Sequence, residues 1–238
     1  MPLRLLPLGA SITFGSGSTD GNGFRKHLRD MLIADGHAVR MVGSLQAGTM
    51  QNNDNEGWRG YRIDQIEEKG RESAAKYLPN IITIQAGTND CISGYDIDHV
   101  GERLRRMLEL LWRICPGSTL VLSTLPVNSS SPYVEPRVRR ANDQIRYLWK
   151  HYADQGRRIV LADMHGLDGP QLSDLVDGTH PNDEGYLKMA RIWHRAILEA
   201  EARGFLRQDK WDEEAESEGK GGLPSILSAL TSFIGHCR

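Results

Sequence analysis

The feature that most constrains this chain is its alternation of short apolar runs with longer amphipathic segments. Five runs rich in Leu, Ile or Val, at residues 3–8, 38–42, 81–85, 119–123 and 158–161, read as buried strands. Between and after them, residues 24–35, 62–77, 97–114, 136–155 and 182–202 carry helical patterns. In the third, Val100, Leu104, Met107, Leu108 and Leu111 share one stripe. Alternating strands and helices imply parallel pairing through right-handed crossovers. The pattern therefore predicts an α/β fold: a three-layer α/β/α sandwich around a five-stranded parallel sheet. No internal repeat interrupts it.

Length and composition bound the rest. At roughly 150 residues per domain as a soft prior, 238 residues suit one large domain with a tail. The domain is expected over 1–206 and the tail over 207–238. The tail opens with six acids and one lysine between Asp209 and Glu218, which reads as a solvated linker. Leu223, Ile226, Leu227, Leu230 and Phe233 then fall at helical spacing. That segment reads as a terminal helix docked on the domain, or as a helix for a membrane surface or partner. A net charge of −2 leaves no electrostatic footprint for nucleic acid or an anionic membrane. No apolar run reaches membrane-spanning length. The first apolar run is too short for a secretory signal and is broken by Pro7 and Gly9. The expected location is cytoplasmic, or secreted if a leader has been removed. Cys91, Cys115 and Cys237 form no C-x-x-C pair and no metal-ligand spacing.

Four segments carry candidate chemistry. The first strand runs into Gly9-Ala10-Ser11, which places a hydroxyl at a strand's carboxyl end, where α/β proteins put their functional groups. Asp177-Gly178-Thr179-His180-Pro181-Asn182 stands before the last helix. Pro181 suits the first helical position, and Asp183 and Glu184 the first turn. At this spacing the Asp177 carboxylate can hold one imidazole nitrogen of His180 and leave the other as a base. Ser11 is its candidate proton source. Gly87-Thr88-Asn89-Asp90 follows the third strand, so the Asn89 amide is a candidate oxyanion donor. The Gly60 backbone N–H, from Glu56-Gly57-Trp58-Arg59-Gly60, is another. Taken singly, each segment reads equally as a turn or a cap.

Taken together and in order, the four segments resemble the four blocks of the SGNH hydrolases, also called GDSL esterases and lipases. The resemblance runs from Leu3 to about Ala202. It implies Ser11 as nucleophile, His180 as general base and Asp177 as the residue that orients it. The implied oxyanion hole is the backbone N–H of Ser11, the backbone N–H of Gly60 and the Asn89 side chain, with Gly57 a second glycine in the same block. No metal or organic cofactor is implied. Ala10 stands where the family usually has Asp, a position outside the triad. The wording of the glycine and asparagine blocks is most similar to carbohydrate esterase family 3, whose members remove acetyl groups from xylan and related sugars. On that reading Trp58 and Tyr61 form a stacking wall for a sugar ring, the alternative being ordinary packing beside the loop. The partners expected are small-molecule or saccharide esters, with no nucleic acid and no integral membrane. A lipase or thioesterase on longer acyl chains and a non-catalytic glycan-binding protein are the alternatives.

Overall fold

The computed structural model describes residues 1–206; the linker and apolar segment expected over 207–238 lie outside them. The chain runs β1 (Pro2–Gly9), α1 (Ser11–Phe14), α2 (Phe24–Ala34), β2 (Ala38–Met41), β3 (Leu45–Gln46), β4 (Asp54–Gly57) and α3 (Ile63–Tyr77). It continues with β5 (Ile81–Gln85), α4 (Thr88–Ser93), α5 (Val100–Ile114), β6 (Thr119–Ser123), α6 (Val134–Asp154), β7 (Ile159–Ala162) and α7 (Asp183–Ala202).

All five expected strands form and pair in parallel, in the order β2-β1-β5-β6-β7. Side chains alternate across this sheet, as a period of two requires. Leu6, Leu8, Ile82, Ile84, Leu120 and Leu122 face one core, shared with α3, α5 and α6. Leu3, Leu5, Ile81, Val121, Val160 and Ala162 face the other, which Phe24 and Leu28 of α2 and Met189 and Trp193 of α7 complete.

The expected count of five strands is corrected to seven among the described residues. The polar stretch after β2 forms an antiparallel pair, with Leu45 opposite Asn55 and Gln46 opposite Asp54. β4 also continues the sheet beside the end of β1, with Leu8 opposite Glu56 and Gly9 opposite Gly57. A strand reading Asp-Asn-Glu-Gly has no apolar alternation to announce it. It is held by polar contacts instead. Fully buried Glu56 accepts from the Ser44 N–H, the Ser73 hydroxyl and Trp58 Nε1 at 2.5, 2.5 and 2.6 Å.

β1 has β2 and β4 on one side and β5 on the other. The chain reverses its winding at the gap between β1 and β5, where α/β sheets open a crevice at their carboxyl ends. Ser11 follows β1 and Asn89 follows β5, so both stand at that gap.

Candidate active site

Gly9 ends β1, and Ser11 begins the single-turn helix α1. The Ser11 N–H is thus the first of a helix and has no intrahelical acceptor. The turn is anchored from behind by Arg25. Its buried guanidinium donates to the carbonyls of Phe14, Gly21, Ala47 and Asn53 at 3.0–3.1 Å. Burial pushes the Arg25 pKa down to about 10, so it remains a cation at neutral pH. Nothing in the sequence singles this residue out: an arginine on an amphipathic helix looks like a solvent-facing charge until the carbonyls it collects are known.

The segment before α7 folds into a compact loop closed by a bridge between Leu175 and Pro181. The first helical residue is Asp183 rather than Pro181, because Asn182 caps the helix by accepting from the Gly185 N–H at 2.9 Å. Asp177 is thereby left for its own loop. Its Oδ1 accepts the backbone N–H groups of Thr179 and His180 at 3.0 and 2.8 Å. Its Oδ2 lies 2.6 Å from His180 Nδ1. Burial acts to raise the Asp177 pKa, but these hydrogen bonds outweigh it and hold the carboxyl below its ordinary value. The loop is braced by the serine-rich segment before α6: Asn128 Nδ2 donates to Thr179 Oγ1 at 3.1 Å, and the Ser129 N–H to the Gly178 carbonyl at 2.7 Å.

His180 Nε2 lies 2.8 Å from Ser11 Oγ, across 169 residues of sequence. Carboxylate, imidazole and hydroxyl therefore form one hydrogen-bonded row. With the carboxylate on Nδ1–H, Nε2 presents its lone pair to the hydroxyl. Such a row can take the hydroxyl proton as the oxygen attacks an electrophile.

A cavity of about 400 Å³ opens over this row, lined by Ser11, Ser16, Arg59, Gly60, Asn89, Ile92, Asp177, Thr179 and His180. Asn89 sits in the first turn of α4, with one amide hydrogen held by the Tyr61 carbonyl at 2.8 Å. The other remains available to the cavity. Its neighbour Asp90 points inward, to Arg103 Nη1 at 2.5 Å and the Ile63 N–H at 3.2 Å. The two glycines of the second block part company. Gly60 is exposed, has φ +80° and lines the cavity. Gly57 is buried, and a side chain there would meet Phe14 N at 2.3 Å. Gly57 lets β4 touch the turn that carries Ser11; Gly60 faces the space above it.

Trp58 and Tyr61 do not line this cavity. Their rings stack on each other, 5.3 Å between centroids and 24° between planes, with Lys69 Nζ 4.9 Å from the centre of the Trp58 ring. Trp58 is tied to Glu56, and Tyr61 packs on the core. Among the described residues, no cluster of three or more His, Cys, Asp or Glu is arranged to hold a metal, and no helix is long and apolar enough to cross a membrane.

Comparison with known proteins bears on the same segments. The chain is 28% identical to a multidomain esterase of Ruminococcus flavefaciens, over 96% of this chain and 32% of that protein. It is 27% identical to an acetylxylan esterase of Xylanibacter ruminicola, over 82% of this chain and 43% of that one. It thus spans about a third to two fifths of the curated relatives it matches. Among solved structures, a family 3 carbohydrate esterase of Clostridium thermocellum superposes with a TM-score of 0.76 at 21% identity, covering 87% of this chain and all of that one. Residues 8–188 match the GDSL-like lipase/acylhydrolase family. That match begins inside β1 and ends inside α7, so it encloses both halves of the row that meets across the sheet: the chain belongs to the GDSL-like lipase/acylhydrolase family.

Proposed function

We propose that this chain is a serine esterase that removes short acyl groups, foremost acetyl, from carbohydrate esters. The observation that carries the reading is the continuous Asp177–His180–Ser11 row, at 2.6 and 2.8 Å, on the floor of a cavity. Ser11 Oγ attacks the ester carbonyl carbon while His180 Nε2 takes its proton. Asp177 keeps the imidazole in the tautomer that can accept it and stabilises the imidazolium that forms. The carbonyl oxygen becomes an oxyanion, which the N–H groups of Ser11 and Gly60 and the free Asn89 amide hydrogen receive. The tetrahedral species collapses, His180 returns the proton to the leaving alkoxide, and the alcohol departs. Water then repeats the cycle on the acyl-serine, giving up its proton to His180 and releasing the acid and free Ser11.

At about 400 Å³ the cavity is small, and Ile92 is the only large aliphatic residue among those lining it. That favours a short acyl group over a long chain. The name of one curated relative, the acetylxylan esterase, favours an acetylated saccharide. Trp58 and Tyr61 serve this site indirectly, by setting the position of the glycine block and of the Tyr61 carbonyl that orients Asn89.

The test is a series of p-nitrophenyl esters of rising chain length, run beside acetylated sugars. Acetate preferred over eight carbons is the expected result, and the reverse supports a lipase. Ser11→Ala should abolish both turnover and labelling by a fluorophosphonate, with unchanged thermal unfolding. Unlabelled wild-type protein would point instead to a glycan-binding protein on the same fold.

A further inference from the structure

Arg59 is the only Lys or Arg among the residues lining the Ser11 cavity. Several arginines answer a carboxylate: buried Arg103 meets Asp90, and Arg106 meets Asp64, Arg140 meets Asp98 and Arg146 meets Asp163. Arg59 forms no ion pair or side-chain hydrogen bond among the described residues. Its one partner is an aromatic face, with the guanidinium carbon 4.8 Å from the centre of the Phe14 ring. Phe14 closes α1, the turn that begins with Ser11. The ring contact therefore fixes the cation beside the nucleophile without neutralising it. The one carboxylate lining the cavity, Asp177, already accepts two backbone N–H groups and the His180 ring. Arg137 and Arg62 likewise have partners other than a carboxylate. Arg137 donates to the carbonyls of Cys91 and Ile92, the latter a lining residue, and Arg62 lies over the Tyr95 ring at 4.0 Å.

An entering substrate strips water from Arg59. A neutral group gives nothing back for that loss, whereas a carboxylate returns charge-assisted and bidentate hydrogen bonds. An acetyl group has no position for a charge. The anion must therefore lie on the alcohol portion, which stays at the open mouth where the exposed Arg59 stands. We infer that Arg59 is a specificity-determining residue that reads a carboxylate on the alcohol portion, so that the favoured substrates are acetyl esters of acidic sugars such as uronic acids. This rests on the esterase reading above and narrows its substrate class.

The experiment compares two matched probes: the per-acetylated methyl glucuronide with a free carboxylate, and its neutral carboxamide. With the wild-type chain at low ionic strength, kcat/KM should be about tenfold higher on the carboxylate, as expected for one charge-assisted contact. The ratio should shrink as salt screens the rim. Arg59→Gln should bring the ratio to about one, and Arg59→Lys should keep part of it, because a point charge replaces the fork. Equal rates on the two probes with the wild-type chain overturn the inference while leaving the esterase intact. So does a carboxylate preference that survives in Arg59→Gln. Failure to hydrolyse either probe or an aryl acetate overturns both readings.

Discussion

Gly57→Ala isolates the link between an unremarkable sheet residue and the chemistry. The added Cβ would stand 2.3 Å from Phe14 N, 2.6 Å from Phe14 Cα and 2.9 Å from Phe14 Cβ. Two of these neighbours are backbone, so no side-chain rotation relieves the clash. Ordinary contact begins near 3.4 Å, so β4 and α1 must separate by roughly 1 Å, a displacement that costs a reaction on the order of a hundredfold when it moves the reacting atom. The Ser11–His180 distance of 2.8 Å would open by a comparable amount, beyond hydrogen-bond reach. Overpacking of this kind also costs stability, about 1–3 kcal/mol. The assay is kcat/KM on an aryl acetate, with the rate of fluorophosphonate labelling and a urea unfolding curve on the same preparation. Gly166→Ala is the control: nothing lies within 4 Å of its added Cβ, and Gly166 is not among the residues lining the Ser11 cavity. Labelling of Gly57→Ala at the wild-type rate, with unchanged stability, would refute the claim that this contact sets the position of Ser11.

Asn89→Ala should lower kcat on aryl acetates by about a hundredfold to a thousandfold with little change in KM, as expected when one oxyanion donor is lost; an effect confined to KM argues for a ground-state contact. Asp177→Asn should lower kcat by at least about a hundredfold, because an amide nitrogen facing Nδ1 favours the wrong tautomer. The Asp177 carboxyl is held below its ordinary value in the folded chain. Its stabilising contribution is therefore full above the unfolded carboxylate pKa of about 3.9 and fades only as pH falls through the lower folded value. Acid unfolding curves of wild type and Asp177→Asn should diverge above that range and converge below it. Burial first, then Asp90, pushes the Cys91 thiol up to about 12. The thiolate is the reactive form, so iodoacetamide at mildly alkaline pH should leave Cys91 unmodified in the native chain and alkylate it after unfolding, as peptide mass analysis will read.

The parallel core was legible because β5 and β6 are buried on both faces and β1 and β7 nearly so, which demands an apolar run, while β2 alternates exposed and buried residues. The same logic hid β4. Asp54-Asn55-Glu56-Gly57 is a strand whose Glu56 finds, beside its neighbour Trp58, two donors from other segments, Ser44 and Ser73, and no local pattern encodes those. Arg25 was missed for the same reason. Trp58 and Tyr61 stack on each other and are not among the residues lining the Ser11 cavity, an arrangement that their spacing in the sequence does not announce. The glycine block offered two candidates that spacing alone could not separate. Gly57 is now seen to be required by contact with Phe14, and Gly60 to face the cavity.

From its order of residues alone, this chain determined which segments become strands and helices, and which side chains arrive at the carboxyl ends of the strands. Hydrophobic periodicity is local, and parallel winding follows from it with few alternatives. Whether Ser11 and His180 meet was decided only by the tertiary structure. Their separation of 2.8 Å across 169 residues depends on β1 lying at the reversal point, on Arg25 holding the turn after one and on the serine-rich loop bracing the other. Those constraints are hydrogen bonds between segments far apart in the chain, and they acquire a geometry only when the sheet has brought the segments together.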